Sequence, residues 1–362
     1  MHIIYTTKIY LPHIGGVELY IKMLADYFSK KGDTVTVITA DEEISNSIEE
    51  ITENITILRI PTKSIYGIYF LKNLKDLNFI KQKIKSADIV HVNDCKFLFR
   101  FFAKQKKMFH YRLICSSHGW LFHTKNHALL KKMYFKEFVA KNSKFFDKII
   151  CVSEQDKIIA EKMGMLCDTV ISPGVDCKKY ADLPEKMCSE DTFFYWGRIA
   201  KNKGILDALK KFNSLRNDYT FIIAGKCEDE EYMALLHSYI SENKMEKNIK
   251  FVGQISDAAI KTQIEKSDYI ILPSLHEGFG ITLVECLLCG RPIIANTNDS
   301  YTTILNQVHA PEYLFDFESE TSDLQQKISE LKGIKIIPKN IEQFSDENIQ
   351  KRIEKIYKEA MQ

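Results

Sequence analysis

Short apolar runs rich in β-branched and aromatic residues alternate with amphipathic segments along the whole of this 362-residue chain. HIIYT (2–6), TVTVITA (34–40), ITILRI (55–60), DIVHV (88–92), RLICSS (112–117) and KIICVS (148–153) make one set. TFFYWG (192–197), YTFIIAG (219–225), IKFVG (249–253), DYIIL (268–272) and RPIIA (291–295) make a second. In VELYIKMLADYFSKKG, Val17, Tyr20, Leu24 and Phe28 recur at helical spacing and Gly32 closes the helix. Further amphipathic helices are predicted over residues 68–86 (Lys-rich), 203–215 and 346–361. Buried strands alternating with helices pack as parallel βαβ units with helices on both faces. The predicted fold is therefore α/β, with two doubly wound Rossmann-like domains facing across a cleft. Residues 1–175 form the first domain and 176–345 the second, with polar residues 177–191 as the linker edge. The last segment, 346–362, is expected to cross back and brace the first domain. A chain of this length exceeds one compact core, which agrees with two domains.

Net charge is +2, so no global charge argues for nucleic acid. The charge is unevenly spread: residues 96–148 hold 13 Lys/Arg against Glu137 and Asp147, a local +11 that leaves −9 elsewhere. A basic, aromatic-rich stretch of this kind suits phosphates or an anionic surface. No apolar run approaches the roughly 18–20 residues of a membrane span. The N-terminus reads as a first strand rather than a signal peptide. The nine cysteines are expected to be reduced and the chain cytosolic. Cys286 and Cys289 form a CxxC inside a predicted helix, but no second Cys/His pair has metal-site spacing.

In doubly wound sheets, ligands bind at the carboxyl ends of the strands. Several turns at such ends carry candidate chemistry. Gly15-Gly16 precedes the first helix and is either a plain turn or a close approach to a ligand. His118-Gly119 follows RLICSS, so His118 points into a cleft or simply satisfies a turn. From Trp120 onward, Leu121, Phe122, Leu129, Leu130, Met133, Phe135 and Phe138 interleave with Lys131, Lys132 and Lys136. That segment can lie on a lipid surface, or it is a core-facing helix with solvated lysines. Arg198 and Lys203, in GRIAKNKG, can converge on a diphosphate across one turn. The acidic run 227–231 lacks DxD spacing and starts a helix, where acids complement the dipole. In HEGFGITLVE (276–285) the carboxylates Glu277 and Glu285 bracket a Gly-rich strand-to-helix turn.

Taken together these motifs resemble the family 4 glycosyltransferases of GT-B fold, which transfer sugars from nucleotide-sugar donors with retention. The resemblance runs through GGVE (15–18), SSHG (116–119), CVSE (151–154), PGVD (173–176), GRIAKNKG (197–204), IIAG (222–225), FVGQ (251–254) and HEGFGITLVE. HGWLFHT, YWGR…NKG and HEGFGI are also similar to mannosyltransferases that extend polyprenyl-diphosphate-linked oligosaccharides in exopolysaccharide assembly. The resemblance implies that Arg198, Lys203 and Gly16 bind the donor diphosphate and Glu285 the ribose. It implies that Glu277, with Gly278, Phe279 and Gly280 beside it, holds the transferred sugar. Gly253 and Gln254 would lie along the base, and His118 near the reacting carbon, with Glu277 and His118 as the catalytic pair. Trp120, Lys131 and Lys132 would meet the acceptor or an anionic membrane, placing the enzyme on the inner face of the cell membrane. No cofactor or metal is implied, because fixed cations and helix dipoles can stabilise the leaving diphosphate. The donor is GDP-mannose by the narrower resemblance, with UDP-sugars possible, and the acceptor is a glycan or lipid-linked glycan. A nucleotide-sugar 2-epimerase or a non-catalytic sugar-nucleotide-binding subunit are the alternatives. Residues 296–303, NTNDSYTT, depart from the family pattern and receive no role.

Overall fold

The computed structural model describes the chain except for residues 14, 53–54, 121–127, 185–190, 216–217, 228 and 333–336. It divides into two compact units, Met1–Gly174 with Asp346–Gln362, and Val175–Ser345.

The first unit contains strands β1 (His2–Thr7), β2 (Thr34–Asp41), β3 (Ile48–Thr52), β4 (Ile55–Ile65), β5 (Ile68–Leu71), β6 (Ile89–Val92), β7 (Arg112–Ser116), β8 (Lys148–Cys151) and β9 (Thr169–Val170). Their order is β3-β4-β2-β1-β6-β7-β8-β9, with β5 paired to β4. All pairs are parallel except β3 and β5, which run antiparallel to β4. Its helices are α1 (Gly16–Lys30), α2 (Lys75–Ile84), α3 (Phe99–Gln105), α4 (Ala128–Tyr134), α5 (Lys141–Ser143) and α6 (Glu154–Lys162), with a π-helical stretch, Phe135–Ala140, between α4 and α5. Side chains alternate across the sheet as strand geometry requires. Ile3, Tyr5, Val35 and Val37 face one core with Leu24 and Phe28 of α1. Ile4, Ile38, Val90 and Leu113 face the other with Ile80, Phe102 and Phe135.

The chain's last helix closes the first of these cores. Within it Ile349, Ile353 and Tyr357 repeat every fourth residue and are fully buried. The Tyr357 hydroxyl lies 2.7 Å from His91 Nδ1 and donates to Tyr5 at 3.2 Å, and its ring stacks on Phe28. His91 Nε2 lies 2.8 Å from Ser116 Oγ, so this buried polar group is partnered on both sides. Burial pushes His91 down to about 3, with His118 adding to it, so the ring is neutral at neutral pH.

One predicted helix is replaced in part. Residues 68–71 extend as β5 and pair with β4, and the helix begins only at Lys75. Tyr66 and Gly67 both take positive φ (51° and 75°) and form a two-residue hairpin turn there.

The second unit contains β10 (Thr192–Trp196), α7 (Ile205–Phe212), β11 (Thr220–Ala224), α8 (Glu230–Glu242), β12 (Ile249–Gly253), α9 (Asp257–Lys266), β13 (Tyr269–Leu272), α10 (Ile281–Leu287), β14 (Ile293–Asn296), α11 (Asp299–Gln307), β15 (Leu314–Phe315) and α12 (Leu324–Leu331). Its sheet is wholly parallel, in the order β12-β11-β10-β13-β14-β15. The last helix, returning to the first unit, is α13 (Asp346–Met361). Among the described residues, no helix is long and apolar enough to cross a membrane.

Candidate functional site

In the second unit the carboxyl ends of β10 and β13 carry a compact polar cluster. After β13 the chain turns through Pro273 and Ser274 and enters α10 at Gly280, whose φ is +107°. A Cβ on Gly280 would come within 2.8 Å of the Tyr301 ring, so the turn rests directly on α11. Gly204, at φ +66°, leaves no room for a side chain against the Pro273 carbonyl. Leu275 N–H donates to the Asn202 carbonyl at 3.0 Å. These contacts bring the turn bearing Lys203 against the turn bearing Glu277.

Lys203 Nζ lies 2.7 Å from Glu277 Oε1, with the two side chains only 16% and 14% exposed. The Tyr301 hydroxyl donates to the same oxygen at 3.1 Å, and Ser300 Oγ donates to the Glu277 carbonyl at 2.9 Å. Both carboxylate bonds fall on Oε1, and Oε2 takes neither. Arg198 is exposed on the same turn as Lys203, its carbonyl accepting from the Tyr195 hydroxyl at 2.7 Å. Gly278 and Phe279 complete the loop, Phe279 tilted against Phe344.

Glu285 sits on α10, where Lys179 Nζ approaches its Oε1 at 3.2 Å and Asp257 Oδ2 at 3.7 Å. Burial raises the Glu285 carboxyl, and the Lys179 charge pulls it back. Burial works against the Lys179 ammonium, but Glu285 and Asp257 outweigh it and raise it. Gly253 and Gln254 are exposed at the end of β12, where the Gly253 carbonyl accepts from Gly225 N–H at 2.8 Å.

In the first unit, β7 ends at Ser116 and the next turn runs left-handed through His118 (φ 43°), Gly119 (φ 90°) and Trp120 (φ 46°). Two non-glycine residues in that region are strained, and the surroundings hold them there. Asp156 of α6 accepts from Ser117 Oγ and, at 2.8 Å, from Gly119 N–H, on one carboxylate oxygen. Its backbone carbonyl accepts from Trp120 Nε1 at 3.0 Å. His118 Nε2 then lies 3.2 Å from Asn93 Oδ1, and its ring packs edge-on against Tyr20. Burial pushes His118 down to about 3, so at neutral pH it offers a neutral imidazole rather than a positive charge.

Trp120 does not lie on a membrane or acceptor surface, as its place among the lysines suggests. It is 2% exposed and packs T-shaped on Phe135 in the core, because the left-handed turn sends the indole inward to Asp156. Lys132 is exposed and Lys131 half-buried, while Leu129, at 84%, and Leu130, Met133 and Phe138 are exposed along the same segment. Leu121 and Phe122 lie outside the described residues. Gly16 opens α1 and is exposed; Glu18, in that helix's first turn, folds its buried carboxylate back beside Gly15. In the acidic run, Asp229 caps α8 and lies 3.4 Å from Lys201, and Glu228 lies outside the described residues.

The structure brings Lys203 together with Glu277, whereas the spacing pairs Lys203 with Arg198. It adds Tyr301 and Ser300, from the segment that received no role, and Lys179, from the presumed linker edge. In the first unit it adds Asn93 and Asp156. CVSEQD places Asp156 five residues after the end of β8, the only sequence signal for any of these.

Two Rossmann-like units built on parallel sheets, the second carrying the Lys203–Glu277 pair at its strand ends, have the architecture of the GT-B glycosyltransferases. Solved structures of that kind share the fold. They include the Anabaena protein HepE in complex with UDP (TM-score 0.77, 17% identity, covering 99% of this chain and 100% of that one). Sucrose-phosphate synthase from Thermosynechococcus elongatus is another (TM-score 0.75, 15% identity, 99% and 98% covered). The model described as Glycosyltransferase Family 4 matches residues 14–179, and that described as Glycosyl transferases group 1 matches 185–355. The chain belongs to the family 4 glycosyltransferases. One relative is the GDP-mannose:cellobiosyl-diphosphopolyprenol alpha-mannosyltransferase of Xanthomonas oryzae pv. oryzae, 26% identical over 82% of this chain and 79% of that protein. Another is the UDP-Gal:alpha-D-GlcNAc-diphosphoundecaprenol alpha-1,3-galactosyltransferase of Escherichia coli, 28% identical over 80% of each chain.

Proposed function

We propose that this glycosyltransferase moves a hexosyl group, mannose in the first instance, from a nucleotide-diphosphate sugar to a polyprenyl-diphosphate-linked glycan, with retention and without a metal. The observation that carries the reading is the Lys203–Glu277–Tyr301 cluster at the strand ends of the second unit. Transfer needs a cation for the departing diphosphate and a carboxylate to hold the sugar hydroxyls. Lys203, with Arg198 from the same turn, supplies the first, and Glu277 the second. Glu285 holds the ribose and the 253–254 turn lies along the base. Glu277 positions the sugar and is not the nucleophile. The departing phosphate takes the acceptor's proton on the face it leaves.

The Xanthomonas relative favours GDP-mannose, and the Escherichia coli relative favours a UDP-hexose as the second reading. Exposed Leu129, Leu130 and Met133 beside Lys132 support peripheral contact with an anionic membrane on its cytoplasmic face. The test is a thermal-shift panel of nucleotide sugars, followed by transfer assays with and without EDTA and by assignment of the product anomer. Selective stabilisation by GDP-mannose is expected. Stabilisation by a UDP-sugar alone moves the donor to the second reading, and stabilisation by none refutes the donor site.

A further inference from the structure

A second group of cations lies in the first unit, beside His118. Lys8 follows the end of β1, and Lys96 follows β6, the strand paired with it, Thr6 opposite Val92. Lys8 Nζ stands 3.9 Å from Asp94 Oδ2, while Asp94 Oδ1 accepts the Lys96 N–H at 2.6 Å. The Tyr134 hydroxyl donates to the Cys95 carbonyl at 3.0 Å and fixes the helix that carries Lys131 to the same turn. Lys8 thus faces Asp94, which is tied to the backbone of its own turn, and the half-buried Lys96 lies close enough to Lys8 and to the half-buried Lys131 for its charge to act on both.

This crowding has a cost in the folded chain. Burial lowers the Lys8 ammonium; Asp94 raises it and the neighbouring Lys96 lowers it again. Burial also lowers Lys131, and the Lys96 charge adds to it. Partly desolvated like charges oppose one another, and an anion set among them relieves both effects. The position narrows what that anion is. Asn93, adjacent to Asp94, is the residue whose side chain meets His118. A ligand whose phosphates sit on the lysines therefore has its neighbouring sugar beside His118.

We propose that Lys8, Lys96 and Lys131 bind the diphosphate of the acceptor, the group that joins its lipid to its glycan. The proposal rests on the function proposed above and adds to it the place where the acceptor's charge is read. The donor's diphosphate is assigned to the other unit, so the two anions have separate cations. Discrimination then follows: a glycan carrying the diphosphate is favoured over the same glycan without it, and binding weakens as salt rises.

The test uses the full-length chain with GDP and UDP both saturating, so that a diphosphate probe cannot occupy the donor side. Binding of farnesyl diphosphate is measured against farnesol, in the parent and in Lys8→Gln/Lys96→Gln. Expected is binding of the diphosphate at least tenfold weaker in the double variant, with a reduced dependence on salt and no change for farnesol. Should the double variant fail to fold, Lys131→Gln alone is read against a threefold or greater loss. Equal binding by parent and variant, or no binding by the parent, overturns the proposal. So does a loss seen equally on phosphatidylglycerol vesicles, which would make the lysines readers of lipid headgroups. The nucleotide-sugar thermal shift is run on the same proteins with GDP and UDP left out. Its absence in the parent refutes the donor reading while leaving the lysine site to the farnesyl diphosphate result.

Discussion

Asp156 carries a pH dependence that can be isolated. It is 2% exposed, and burial pushes its carboxyl up to about 6 from a usual 3.8, although Ser117 and Gly119 both hydrogen-bond the carboxylate and oppose the rise. An unfolded chain ionises this group near pH 4, and the folded chain does so near pH 6. Between those values the folded state holds more protons, so stability falls as pH rises and levels off above the folded value. Two pH units at about 1.4 kcal/mol each give a penalty of roughly 3 kcal/mol at neutral pH. Asp156→Asn removes the titration, and because Ser117 and Gly119 both bond one oxygen, the amide oxygen can replace it. Trp120 donates to the Asp156 carbonyl and is a local reporter, provided the second tryptophan is silenced by Trp196→Phe. Urea unfolding followed by Trp120 fluorescence at pH 4, 5, 6 and 7 is the assay. The parent is expected to lose about 3 kcal/mol relative to the Asn variant between pH 4 and 7, mostly below pH 6. Parallel curves for the two proteins would refute the burial argument.

Other outcomes follow from the second unit. Lys203→Ala is expected to weaken nucleotide-sugar binding tenfold to a hundredfold, since a charge-assisted contact of about 1.5–3 kcal/mol is lost; titration calorimetry with donor and with free nucleotide reads it. Glu277→Gln should cut kcat by about a hundredfold while nucleotide affinity changes little, and wild-type turnover would remove Glu277 from the sugar site. Gly280→Ala forces a methyl onto the Tyr301 ring at a left-handed φ and should cost about 1–3 kcal/mol, visible as a lowered Tm. Lys179→Met leaves burial unopposed at Glu285, so the acid limb of donor affinity should move to higher pH; a profile that does not move would show that Lys179 does not set the charge there.

The parallel strands are legible because each is a buried run with no polar face, which only a doubly covered sheet accommodates. The β4–β5 hairpin is not, because IYFL followed by lysines fits a helix as well as a strand and only Gly67 marks the turn. Glu277, Lys203 and Glu285 stand out in the sequence because glycines flank them at strand ends. Tyr301 does not: it reaches Glu277 from 24 residues away, and only the packing of α11 beneath Gly280 brings it there. Trp120 misleads for a related reason. Its neighbours are lysines and apolar residues suited to a surface, while its own direction is set by three left-handed residues and a backbone carbonyl 36 positions later.

The helix Asp346–Met361 belongs to a unit whose other residues end at Gly174. On a ribosome adding roughly 5–20 residues per second, everything between them takes on the order of ten to thirty seconds to appear. Through that interval the nascent first unit holds Tyr5, His91 and Phe28 with no Tyr357 to cover them. The core of the first unit is therefore closed only after the whole of the second unit has been synthesised. A chain cut anywhere before Tyr357 leaves Tyr5, His91 and Phe28 without that cover.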